Sequence, residues 1–160
     1  MSILPLPALC AGALLLAACA DSGSLGRRYF APAPAASSGP VTPGEGTIDS
    51  NVGNTVYFDT DSALLQPEAQ QILQKQALWL QQYPQYSWTI EGHADERGTR
   101  EYNLALGERR AQAAMDYLVA LGVDPRRLKT ISYGKERPVC TDANEACWSQ
   151  NRRAVTTLVD

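Results

Sequence analysis

Residues 91–118 read EGHADERGTREYNLALGERRAQAAMDYL, and this stretch sets the architecture. Immediately before and into it, Tyr86 to Glu91 (YSWTIE) is rich in aromatic and β-branched residues and predicts a strand closed by Gly92. After a short polar turn, Glu101 to Leu121 predicts a helix. Leu104, Ala111, Met115 and Leu118 lie on its core side, and Gly122 stops it. A strand that passes directly into a long helix is the first half of a crossover connection, so the strand that follows runs parallel to the first.

The flanking segments complete that pattern. Thr55 to Phe58 (TVYF) predicts a strand, and Pro67 suits the first position of a helix, where a missing N–H costs nothing. Ala69, Ile72, Leu73 and Leu80 recur at helical spacing, and Pro84 follows the end. Thr130 to Tyr133 (TISY) and Ala154 to Val159 (AVTTLV) predict two more strands. The expected fold is a two-layer α/β sandwich: a mixed, partly parallel four-stranded sheet with helices on one face.

Toward the N-terminus the composition changes twice. Residues 1–18 carry no charge, and Leu9 to Ala18 is a nearly continuous apolar run of export-signal length, shorter than the ~20 residues of a spanning helix. It ends in Leu16-Ala17-Ala18-Cys19, a lipobox pattern that predicts cleavage before Cys19 and its acylation. The other reading is ordinary cleavage within Ala17-Ala18, with Cys19 left as a thiol. Residues 19–54 then form the expected tether: Ala31 to Thr47 (APAPAASSGPVTPGEGT) has too little apolar surface to offset the entropy of ordering. The folded domain is expected over 55–160.

All 14 basic and 17 acidic residues lie beyond the signal, and the net charge is -3. A mildly acidic chain without a basic stripe argues against nucleic acid as a partner. Cys10 leaves with the signal and Cys19 is acylated, so Cys140 and Cys147 remain as a pair. An exported chain would oxidise them to a disulfide. The alternative is a metal site with His93, the single histidine, but Cys-x6-Cys lacks zinc-finger spacing. No cofactor is expected.

The polar run Gly92 to Asn103 (GHADERGTREYN) leaves a strand's carboxyl end beside a helix N-terminus, a favourable place for a ligand. Asn103 and Arg110, nearly two turns apart, share one helix face, and Gly107 between them would leave room for a ligand. Asp95 could take an ammonium and the Arg110 fork a carboxylate, which together suit a zwitterion. The competing reading pairs Asp95 and Arg110 with each other or with Glu101 and Glu108 on a solvated surface. Asp59-Thr60-Asp61-Ser62 resembles the start of a calcium loop, but no Gly occupies its sixth position and no Glu its twelfth. Arg152 and Arg153 open the last strand, one expected to be paired inward and one solvated.

Four segments together carry a resemblance: VYFDTD (56–61), residues 91–118 as quoted, ISYGKERP (131–138) and NRRAV (151–155). In order and spacing the chain from Thr55 to Val159 resembles the C-terminal OmpA-like domain family, in its lipoprotein branch. The resemblance implies non-covalent binding, without catalysis, to the meso-diaminopimelate of the peptidoglycan stem peptide. Asp95 and Arg110 match the ligand-holding Asp and Arg, and Asp61, Glu96, Arg97, Gly98, Thr99 and Asn103 match the residues around the bound peptide. Ala94 departs from the Thr common at that position. The resemblance further implies an outer-membrane lipoprotein facing the periplasm, membership of the Tol system, a role in envelope integrity and cell division, and the periplasmic propeller protein TolB as partner. From a different class comes a peptidoglycan hydrolase that would use Asp61, Asp95 and His93, although no Gly-x-Ser-x-Gly turn is present.

Overall fold

A computed structural model describes residues 52–159. The expected signal at 1–18, the lipobox cysteine Cys19 and the tether up to residue 51 lie outside the described residues.

Four strands and three helices follow one another as β1 (Thr55–Tyr57), α1 (Pro67–Gln82), β2 (Ser87–His93), α2 (Arg100–Ala120), β3 (Leu128–Gly134), α3 (Glu145–Asn151) and β4 (Arg153–Val159). A short 3-10 turn, Pro125–Arg127, leads into β3. The sheet order is β1-β4-β2-β3. β4 lies between β1 and β2 and is antiparallel to both, while β2 and β3 are parallel, with Trp88 opposite Leu128 and Ile90 opposite Thr130. The expected mixed, partly parallel sheet is therefore present, with α2 as the crossover between its parallel pair.

Period-2 alternation decides which face is covered. Along β2, Trp88, Ile90 and Gly92 are buried, while Ser87, Thr89 and Glu91 between them are partly open. Helices α1 and α2 pack over the buried side: Leu73 and Leu80 from the first and Ala111, Ala114 and Leu118 from the second meet Trp88 and Ile90. Each large apolar side chain withdrawn from water in this layer stabilises by about 1.5–3 kcal/mol. Leu104, expected in the core, is 48 % exposed. It sits at the margin of the buried arc of α2, next to Ile131 on the edge strand β3, where no further element among the described residues covers it.

Gly107 belongs to the packing and not to a ligand space. A Cβ on Gly107 would lie 2.8 Å from the Gly92 carbonyl oxygen, and one on Gly92 would collide with the Gly107 carbonyl. The two glycines let α2 rest directly on the backbone of β2, which fixes how the loop between them approaches the helix.

Two elements were not expected from the sequence, the 3-10 turn and α3. The Cys140–Cys147 disulfide is present, with a Cα–Cα distance of 5.0 Å. It ties the loop after β3 to α3, where Asn144 caps the helix by accepting from the Cys147 N–H at 3.0 Å. Buried Asn151 closes the same segment: its side-chain oxygen accepts from Val139 N and its amide donates to Cys140 O at 2.7 Å.

Candidate functional site

Side chains that leave the end of β2 can converge with those of the first turn of α2 because the connecting loop has only six residues, Ala94 to Thr99. Several bonds hold its shape. Ala94 N donates to Gly134 O at 2.8 Å, which carries the loop on from the β2–β3 pairing. Gly98 has φ 86°, left-handed backbone that glycine adopts without cost. Thr99 is the N-cap of α2, its hydroxyl accepting from Tyr102 N at 3.2 Å. Asn103, 1 % exposed, donates to Arg97 O at 2.7 Å. Lys135 reaches over from the end of β3 to Glu96 O and Gly98 O, at 3.1 and 2.7 Å.

Against this loop lies a cleft of about 260 Å³ lined by Asp61, Asp95, Arg97, Gly98 and Asn103, together with Thr60, Tyr102 and Leu106. Five residues singled out in the sequence thus share one concavity. Thr99 caps the helix at its edge, and Glu96 turns outward to accept from the Trp148 indole N–H at 3.0 Å. Asp61 has φ 54°, a conformation that Asp tolerates better than most residues, and its carboxylate accepts from the Tyr102 hydroxyl. Tyr102 and Leu106 were missed, though Tyr102 adjoins Asn103 inside the motif; Thr60 adjoins Asp61.

Asp95 is the charged centre of the cleft. Its Oδ1 accepts from Arg97 N and Nε, both at 3.1 Å, and its Oδ2 from Arg97 Nη2 at 2.6 Å and Arg152 Nη1 at 3.4 Å. Burial alone would raise the Asp95 pKa, but hydrogen bonding from Arg97 and then Arg152 outweighs it and holds the carboxyl below its ordinary range. The aspartate is an anion at neutral pH, already facing two cations.

Arg110 lies beneath the cleft and does not line it. Its side chain is wholly buried, donating from Nε to Ser62 O at 2.8 Å, from Nη1 to His93 O at 2.8 Å and from Nη2 to Asp59 O at 3.0 Å. Three of the five guanidinium N–H groups thus fasten the loop after β1 to the end of β2. Burial lowers the Arg110 pKa to about 10, against the opposing pull of Asp95, so the group remains charged at neutral pH. Neither competing surface pairing, with Glu101 or Glu108, is made.

One expectation for the nearby residues changes. Arg152 and Arg153 are both buried, at 6 % exposure each. Arg152 pairs with Asp95 and Glu145, and Arg153 donates to Arg137 O at 3.2 Å, so neither is solvated. His93, 2 % exposed, packs near Tyr133 outside the cleft, and neither ring nitrogen has a hydrogen-bond partner among the described residues. Burial, with the nearby charges of Arg153 and Arg137, lowers its pKa to about 4. A larger, mostly apolar depression of about 440 Å³ lies between β1, α1 and α3, lined in part by Tyr57, Ala69 and Ile72. Its charged lining residues, Asp59, Glu68 and Arg152, lie outside the polar run from Gly92 to Asn103, which gathers in the smaller space, and the candidate site is therefore the smaller one.

Comparison with known proteins gives the family and the fold. The model of the OmpA family matches residues 57–152. The peptidoglycan-associated lipoprotein of Brucella melitensis is 62% identical over 122 residues, covering 76% of this chain and 73% of that protein. Its namesake in Pseudomonas aeruginosa is 56% identical over 99 residues, covering 62% and 58%. The crystal structure of the peptidoglycan-associated lipoprotein from Burkholderia pseudomallei superimposes with a TM-score of 0.66 at 45% identity, covering 68% of this chain and 92% of that one.

Proposed function

The chain belongs to the OmpA family and, within it, to the peptidoglycan-associated lipoproteins, and from that premise we propose that it grips the cell wall through the diaminopimelate of the stem peptide. The observation that carries this reading is the cleft around Asp95, where a largely buried carboxylate meets cations at the mouth of a helix N-terminus. The free end of meso-diaminopimelate bears an ammonium and a carboxylate on one carbon. Asp95 receives the ammonium once the Arg97 side chain yields one of its bonds. The carboxylate meets the displaced Arg97 guanidinium and backbone N–H groups near Gly98 and Thr99, while the charge of Arg110 draws it from beneath the cleft. Asp61 and Asn103 shape the walls, and Glu96 turns outward to Trp148.

The protein acts as a binder and performs no chemistry on the wall. A hydrolase built on Asp61, Asp95 and His93 would need His93 as a base within reach of substrate, and that ring is sealed from the cleft with a pKa of about 4. Soluble fragments released from sacculi incubated with pure protein would revive the enzyme reading. In the cell, acylated Cys19 anchors the chain in the outer membrane; Ala20 rather than Asp after that cysteine favours this destination. The domain of residues 55–160 faces the periplasm and joins the Tol system through TolB.

Asp95→Asn tests the grip while keeping shape. Removing one partner of a desolvated charge pair costs about 2–5 kcal/mol, so retention on purified sacculi should fall roughly thirtyfold or more. Asp116→Asn changes an exposed carboxylate by the same charge and should pellet as the wild type does. Equal losses for the two variants, or none for Asp95→Asn, would refute the assignment.

A further inference from the structure

Helix α3 contributes no residue to the lining of the cleft, but it braces the cations that face Asp95 from behind. The Trp148 ring lies 4.3 Å from the Arg97 guanidinium, and its indole N–H binds Glu96 Oε1. From the same helix, Glu145 Oε1 accepts from Arg152 Nη2 at 2.5 Å. A seven-residue helix therefore holds both cations that face Asp95.

So short a helix does not persist on its own. Asn144, Asn151 and the Cys140–Cys147 bond fasten it to the loop after β3, and Cys147, directly before Trp148, is 3 % exposed. The four hydrogen bonds to Asp95 occupy the acceptor directions a carboxylate offers, so an incoming ammonium must displace one. The Arg97 side chain is the movable donor, being 39% exposed against 7% for Arg152.

We propose, on the diaminopimelate reading above, that Trp148 is a positioning residue of this site. Its ring is the platform on which Arg97 slides off Asp95 yet stays at the cleft mouth to face the ligand's carboxylate. The Cys140–Cys147 bond keeps that platform in place. Trp148 acts through Arg97, so its effect must vanish when Arg97 is gone.

The experiment is co-sedimentation of the full mature chain with purified sacculi. Trp148→Ala should weaken binding roughly tenfold, the scale of a partly desolvated cation–π contact. Trp148→Phe keeps a ring under Arg97 and should recover most of that loss. Cys140→Ser with Cys147→Ser, or wild type treated with a thiol reductant, should weaken binding in the same direction. In an Arg97→Ala background the Trp148 changes should add no further loss, the signature of a shared pathway. Wild-type affinity for Trp148→Ala, no rescue by Trp148→Phe, or an undiminished Trp148 effect without Arg97 would each overturn the proposal. Wild-type protein that fails to pellet would instead refute wall binding itself, and this inference with it.

Discussion

Arg110 and His93 occupy the same junction and show how little a residue's spacing says about its depth. The seven-residue interval from Asn103 places Arg110 on the correct helix face, and it is buried there. Its distance below the surface was not legible, because the carbonyls of Asp59, Ser62 and His93 come from segments far apart in the chain. Asp95, Arg97 and Gly98 were legible as a group because one short loop carries them; their neighbours Arg152 and Trp148 come from the far end of the chain. His93 makes a pH prediction that can be checked without any ligand. Its folded pKa of about 4 lies below the ~6.5 of an unfolded histidine. The unfolded chain therefore binds the extra proton between those values, and stability falls as pH drops from 6.5 toward 4. The full difference corresponds to about 3 kcal/mol at most. Urea unfolding at a series of pH values should show this slope. His93→Phe, which removes the titrating ring, should flatten it while leaving the acid-side contribution of Asp95. An unchanged slope in that variant would mean that His93 is protonated in the fold.

At the scale of elements, strands and long helices were readable wherever a single periodicity ran uninterrupted, as in Tyr86 to Glu91 and in α1. Helix α3 was not. Its seven residues hold few apolar positions, and its support comes from a disulfide, an Asn144 cap and the Asn151 side chain rather than from an amphipathic face. Helix α2 was readable in extent but not in the use of its glycine. Gly107 has the space of a ligand shelf in the sequence, whereas the β2 backbone and Ser132 fill that space in the fold. The distinction has a measurable consequence. In an exposed helix interior Gly→Ala stabilises by about 1 kcal/mol, but Gly107→Ala should destabilise by about 1–3 kcal/mol as α2 lifts from the sheet. A lowered thermal midpoint would show that contact outweighs propensity here. A raised midpoint would show that the helix has room, and the ligand-shelf reading would return.

On the scale of the whole molecule, the proposed function needs two attachments at once, a lipid end and a wall end, with a tether between them. Residues 52–54 are held against the domain, by Val52 packing on the core and by Gln76 and Thr156 donating to the carbonyls of Gly53 and Asn54. A tether of residues 20–51 would span about 30 Å as a coil and up to ~100 Å if drawn out. Attachment at one end confines the other to that reach, so wall retention in the cell depends on span as well as on contact strength. Two variants separate these contributions. Cys19→Ala should leave binding to purified sacculi unchanged and release the protein into the soluble periplasmic fraction once the wall has been digested. Deleting Ala31 to Thr47 removes about half of the tether and leaves both ends intact. It should also bind sacculi normally in solution, where nothing has to be spanned. In cells, however, the shortened chain should be recovered less often in cross-links to the wall, because its drawn-out reach falls to roughly 50 Å. If the deletion cross-links as efficiently as the full chain, the tether has no length requirement and is only a spacer. If Cys19→Ala still fractionates with membranes after wall digestion, the acyl anchor is wrong, and the wall-binding domain must be held at the envelope by another contact.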